Sequence, residues 1–183
     1  VNAVKINHLD LSDLVVSEYF PSDFVVQQPG EGRSAPELSL WVGKKAPVWT
    51  LMDGNGKSVS LSDFNNKTLV VQFTSVSCGP CRVSVPFLNE LAGDYKNKNV
   101  IVIAIECTSK SMKAVLQYQK LNDIGYVFLK SDDEVCENYQ VRSFPVFFFL
   151  DQSRTIRKVI CGYSESSVAR EIRKTLDDLV KHP

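Results

Sequence analysis

Two cysteines, Cys78 and Cys81, enclose the dipeptide Gly79-Pro80. A thiol pair at this spacing can close a small disulfide ring and open it again. In thiol–disulfide exchange one thiolate attacks a sulfur, a mixed disulfide forms, and a second thiol resolves it. Cys78 is read as the nucleophile and Cys81, one helical turn further on, as the resolving thiol. The plainer alternative is a permanent disulfide, or two inert thiols at a helix start. The surrounding elements decide between these readings.

Before the pair runs Val70-Val71-Gln72-Phe73-Thr74, an apolar stretch rich in β-branched and aromatic residues that reads as a buried strand. It breaks at Ser75-Val76-Ser77 and delivers the cysteines to a helical pattern. There Val83, Phe87, Leu88, Leu91 and Tyr95 recur at intervals of three or four and predict one apolar face. Pro80 suits the first turn, where a missing N–H costs nothing. Cys78 then sits where backbone N–H groups and the helix dipole favour an anion, which lowers a thiol pKa. Gly79 and Pro80 add tight, rigid geometry. Pro86 should bend the helix by removing one backbone bond.

Composition narrows the classes. The chain has 183 residues, enough for one domain with an extension and a proper core. Lys plus Arg and Asp plus Glu are both 21, so no bulk field recruits nucleic acid or an acidic surface. No apolar run approaches the roughly 20 residues of a spanning helix. The sequence begins at Val1, and an export signal or lipid anchor removed from in front of it is an expectation. Five cysteines in a chain of this size fit neither a disulfide scaffold nor a metal cage. A zinc site would want a second pair or nearby histidines, and His8 and His182 lie near the two termini. No metal is expected. Cys107, Cys136 and Cys161 stand singly and read as small core hydrophobes. Cys161 has a second reading, as a further redox thiol.

In chain order, residues 1–42 read as an N-terminal extension and residues 43–183 as the main domain. The extension holds short apolar stretches, Leu14-Val15-Val16 and Phe24-Val25-Val26, and a linker from about Gln27 to Pro36. From Val48 to Met52 and Lys57 to Leu61, two strands should flank the turn Asp53-Gly54-Asn55-Gly56. Strands follow at Thr68 to Thr74, Val100 to Glu106, Tyr126 to Leu129, Val146 to Leu150 and Thr155 to Cys161. Helices are predicted from Gly79 to about Tyr95, Lys110 to Leu121, Asp132 to Tyr139 and Ser164 to Val180. Buried strands alternating with amphipathic helices predict a layered α/β fold.

The motif Cys78-Gly79-Pro80-Cys81 resembles the active site of the thioredoxin superfamily. Gly43-Lys44-Lys45-Ala46-Pro47, Leu51-Met52-Asp53-Gly54-Asn55-Gly56-Lys57 and Leu61-Ser62-Asp63-Phe64 look like the opening of TlpA/ResA-type thiol–disulfide oxidoreductases, an opening similar to that of peroxiredoxins. Ser143-Phe144-Pro145-Val146 matches the cis-proline loop of the superfamily. The resemblance covers roughly Gly43 to Val180. It implies a thioredoxin-like fold, a central mixed β-sheet flanked by helices with an N-terminal β-hairpin. It also implies a cis bond before Pro145 and a Phe144 backbone turned outward to pair with an extended substrate; the alternative is an ordinary proline opening a strand. The Gly-Pro dipeptide goes with reductants. The implied partners are cysteine-bearing client proteins and an upstream thiol donor. No cofactor beyond the cysteine pair is implied. The setting implied is periplasmic or otherwise exported, with a membrane anchor outside this chain.

Three positions depart from the family pattern. Ser77 replaces a frequent Trp, Gln72 stands where thioredoxins bury an acid near the resolving thiol, and Ser84 stands where TlpA/ResA-like proteins often carry Glu. A buried carboxylate can take the proton of Cys81; Gln and Ser cannot. Glu106, at the end of the next strand, is the best replacement, although a strand-end charge more often sits in solvent. Resolution is therefore expected to be slow near neutral pH. Two other functions compete with the reductase. A peroxiredoxin-type peroxidase could use Ser75 as its hydroxyl, but Val71 sits where its proline should be. A binding module would present Phe144 and Pro145 while the disulfide stays closed.

Overall fold

The computed structural model describes residues 38–181; the expected strands and linker of the extension lie outside the described residues. Seven strands form one sheet in the order β2-β1-β5-β4-β3-β6-β7. They are β1 (Thr50–Asp53), β2 (Ser58–Ser60), β3 (Thr68–Thr74), β4 (Val100–Glu106), β5 (Val127–Lys130), β6 (Val146–Leu150) and β7 (Ile156–Cys161). Strands β3, β4 and β5 run parallel, and β6, β7, β1 and β2 join by antiparallel pairing. This is the mixed sheet that the family resemblance implies.

The middle strands are mostly apolar because both sheet faces are covered, with Thr68, Gln72, Thr74 and Glu106 as the buried polar positions of β3 and β4. On one face Leu69, Val71 and Phe73 pack with Val146, Phe148, Leu150 and Tyr139. On the other, Val70 packs with Phe147, Phe149 and residues of the helices. The three consecutive phenylalanines of β6 are fully buried, each contributing about 1.5–3 kcal/mol relative to exposure. Strand alternation thus sends Gln72 to the same face as Val70.

The helices are α1 (Gly79–Val83), α2 (Val85–Asp94), α3 (Met112–Leu121), α4 (Asp133–Asn138) and α5 (Val168–Lys181). The single helix expected from Gly79 to Tyr95 is broken at Ser84, which ends α1 and starts α2. Pro86 lies in the first turn of α2, where its missing N–H is tolerated. The break turns the expected apolar face. Val83 is 52% exposed, and Val85 takes the inward place beside Leu88 and Leu91. In α5, Ile172, Leu176 and Leu179 face inward, as their spacing predicts.

The hairpin turn between β1 and β2 is closed by Asp53, whose Oδ1 accepts from Asn55 N and Lys57 N at 2.8 Å each. Leu38 is buried and Trp41 stacks 6.1 Å from Tyr139. The described chain therefore joins the core before the first strand. No helix among the described residues is long and apolar enough to cross a membrane.

Candidate active site

Strand β3 ends at Thr74 and a short loop carries the chain to Cys78, the residue capping α1. Cys78 Sγ accepts a hydrogen bond from Cys81 N at 3.2 Å. Because α1 is a single short turn, this one N–H is the concrete anion stabiliser, more than a summed helix dipole. The two cysteines form a disulfide with Cα atoms 5.2 Å apart. Cys78 is half-buried and Gly79 and Pro80 are exposed, whereas Cys81 is 1% exposed. Cys78 is thus the more open of the two cysteines, and Cys81 is covered.

Beneath Cys81 the floor is polar and uncharged. Gln72, 1% exposed, donates from Nε2 to Ser84 Oγ at 2.8 Å. Ser84 Oγ in turn donates to the Cys81 carbonyl at 2.7 Å. Two of the three positions that depart from the family pattern, Gln72 and Ser84, are thus partners of one another. Neither can accept the Cys81 proton at neutral pH.

Glu106 is where solvent exposure was the commoner expectation, and that expectation is wrong: the residue is 0% exposed. Glu106 Oε1 accepts from Thr108 N, Thr108 Oγ1 and Ser109 N at 3.0, 2.8 and 3.0 Å, and from Val76 N at 3.3 Å; Oε2 accepts from Ser109 N at 2.9 Å. The parallel pairing of Thr74 with Glu106 brings the loop after β4 against the loop before Cys78. A carboxylate only accepts, so the Thr108 hydroxyl proton points to Glu106. Ser75 Oγ, 2.7 Å from Thr108 Oγ1, must then donate to Thr108. By the same logic Ser77 Oγ, 2.9 Å from Ser75 Oγ, donates to Ser75. A one-way chain of hydroxyls runs from Ser77, next to Cys78, to the buried carboxylate. Thr108 escaped the sequence reading; the available signal was a Glu ending an apolar strand and followed by Thr-Ser.

The Phe144–Pro145 peptide bond is cis, as the resemblance implies. Val146 pairs with Phe73, which puts Pro145 at the same sheet end as the cysteine loop. Pro145 is buried and Phe144 half-buried. The Pro145 carbonyl accepts from Gly162 N at 2.8 Å, and Gly162 has φ +77°, a left-handed conformation suited to glycine. Cys161 pairs with Val146 and is a free, exposed thiol. The core-hydrophobe reading of Cys161 therefore fails, since β7 is an edge strand and this position faces outward.

Cys107 and Cys136 are not separate core residues either. They form a second disulfide, 29 residues apart in sequence and 6.5 Å apart between Cα atoms. Strand pairing of β4 with β5 sets the loop after β4 beside α4, a contact no local pattern announces. Among the described residues no group of three or more His, Cys, Asp or Glu could hold a metal ion.

The AhpC/TSA family model matches residues 42–159. Thiol-disulfide oxidoreductase ResA of Bacillus cereus is 29% identical over 147 residues, covering 80% of this chain and 84% of that protein. The protein of the same name from Bacillus subtilis is 28% identical over 138 residues, 75% of this chain and 76% of its own. In three dimensions the chain is similar to the thioredoxin domain of a thiol-disulfide oxidoreductase from Bacteroides vulgatus, with a TM-score of 0.64 at 21% identity, covering 74% of this chain and 96% of that one. That likeness is one of fold.

Proposed function

This chain belongs to the AhpC/TSA family, and we propose that within it the protein is a thiol–disulfide oxidoreductase that reduces protein disulfides through Cys78 and Cys81. The observation that carries the reading is the unequal placement of the two sulfurs. Cys78 is reachable and receives the Cys81 N–H, while Cys81 is covered. In the reduced pair, the Cys78 thiolate attacks one sulfur of a client disulfide. The other client sulfur leaves as a thiolate and takes a proton. Cys81 then loses its proton and attacks Cys78 Sγ, releasing the second client thiolate. The client gains two electrons and the Cys78–Cys81 disulfide closes. An upstream thiol donor reopens it by the reverse exchange.

Phe144 and Pro145 are the substrate-binding pair in this reading, with the outward Phe144 backbone offered to an extended client segment. The working unit is residues 43–183, with residues 1–42 leading into it, and the setting is an exported one. The Gly79-Pro80 spacer favours the reducing direction.

A redox-buffer titration of the Cys78–Cys81 pair in a Cys161→Ser chain, with alkylated thiols assigned to each pair at peptide level by mass, tests the direction. A potential near or below about −230 mV is expected of a reductant, and one of roughly −120 to −180 mV would make the protein an oxidant or isomerase. Peroxide consumption tests the peroxidase alternative. The Ser75 hydroxyl is engaged by Thr108 and Ser77, so no peroxide turnover is expected.

A further inference from the structure

The second disulfide joins the two arms that frame the reacting sulfurs. Cys107 directly follows Glu106, and its N–H donates to the Thr74 carbonyl at 3.0 Å, at the root of the Cys78 loop. The next two residues, Thr108 and Ser109, bind the Glu106 carboxylate that also holds Val76 N. On the other side, Cys136 lies in α4, and its carbonyl accepts from Val141 N at 2.9 Å. Val141 begins the segment that runs to the cis bond at Phe144–Pro145. The disulfide therefore ties the turn that braces the Cys78 loop to the helix that leads into the Pro145 loop.

Both sulfur-bearing residues are half-buried, packed on one side against the core and not fully covered on the other. Exposed disulfides are the labile ones, and incomplete cover leaves this bridge a route for a dithiol. Ser131 Oγ lies 3.7 Å from Cys136 Sγ. Ser131 N donates to the Glu106 carbonyl at 2.8 Å, which closes a circuit between the disulfide and the Glu106 network.

We propose that Cys107–Cys136 is a second thiol–disulfide exchange site, opened by dithiols, whose state sets the reactivity of Cys78. A dithiol attacks one sulfur of the pair, forms a mixed disulfide and expels the other as a thiolate. Its second thiol then displaces the remaining sulfur. The dithiol becomes a disulfide, and Cys107 and Cys136 become two thiols, a transfer of two electrons and two protons. With the bridge open, residues 107–109 lose their covalent tie to α4. Thr108 and Ser109 then hold Glu106, and through it Val76 and Ser75, less firmly.

Two variants test this. A Cys78→Ser/Cys81→Ser/Cys161→Ser chain carries the second pair alone. In a dithiothreitol redox buffer, alkylation and mass are expected to show two new thiols per chain while circular dichroism stays native. Thiols that appear only after denaturation would make the bridge purely structural and overturn the proposal. A Cys81→Ser/Cys161→Ser chain leaves Cys78 as the free thiol. Its iodoacetamide rate, read at peptide level across pH, is expected to change by about threefold or more when the second pair opens. An unchanged rate and pH profile would overturn the coupling. Neither arm requires replacing Cys107 or Cys136, so a folding defect in those variants does not obscure the answer.

Discussion

The floor under Cys81 and the rim beside Cys78 are both buried and polar, yet they differ in charge. The floor is the neutral pair Gln72–Ser84, linked at 2.8 Å. The rim is Glu106, whose carboxylate meets donors from Val76, Thr108 and Ser109. A base that takes the Cys81 proton needs a lone pair near that thiol, and the floor supplies only a hydroxyl and an amide. The carboxylate exists, but it ends β4 against the loop before Cys78 and is saturated with donors. Its geometry suits holding a loop more than accepting a proton. Charge has been moved from beneath the resolving sulfur to the support of the attacking one.

The strongest test of that comparison removes the sulfurs. Cys78→Ser should abolish disulfide turnover, while Cys81→Ser should accumulate the mixed disulfide with a client, visible on non-reducing gels. Turnover surviving Cys78→Ser would break the assignment of attacker and resolver. Next in size is the Cys107→Ser/Cys136→Ser chain, which loses a cross-link over 29 residues of separation. Urea unfolding should show a loss of about 3–4 kcal/mol. Glu106→Ala should come third, leaving the N–H groups of Val76, Thr108 and Ser109 without their acceptor at a cost of about 2–3 kcal/mol. Near-zero loss would mean that the rim does not brace the loop.

The smallest expected effect concerns the floor. Wild-type resolution should be slow near neutral pH, and Gln72→Asp should speed decay of the mixed disulfide about tenfold by supplying a general base. Stopped-flow decay of a Cys78 mixed disulfide measures it. If the variant resolves no faster, the neutral floor is not what limits the step.

Much of this was legible along the chain. The strands Thr68–Thr74, Val100–Glu106 and Val146–Leu150 have the ends their apolar runs predict, because a strand buried on both faces is mostly apolar and its run stands out from the polar loops on either side. The helix after Cys81 was less legible. Its apolar spacing runs on through Val83, but the break at Ser84 depends on Pro86 and on Ser84 bonding back to the Cys81 carbonyl. Glu106 was visible as a candidate and misplaced in solvent. Its burial depends on donors that arrive from the neighbouring loop at Val76 and from the turn at Thr108 and Ser109.

By itself the sequence determined the reactive pair, its strand-to-helix setting, the proline that follows at position 145 and the absence of an acid at positions 72 and 84. These are properties of residue type and short-range spacing. The tertiary structure decided that Gln72 bonds Ser84, that Glu106 anchors the Cys78 loop and that Cys107 bonds Cys136. Each of these joins residues on different elements, and their meeting depends on strand register and packing, which no local pattern of apolar and polar residues encodes.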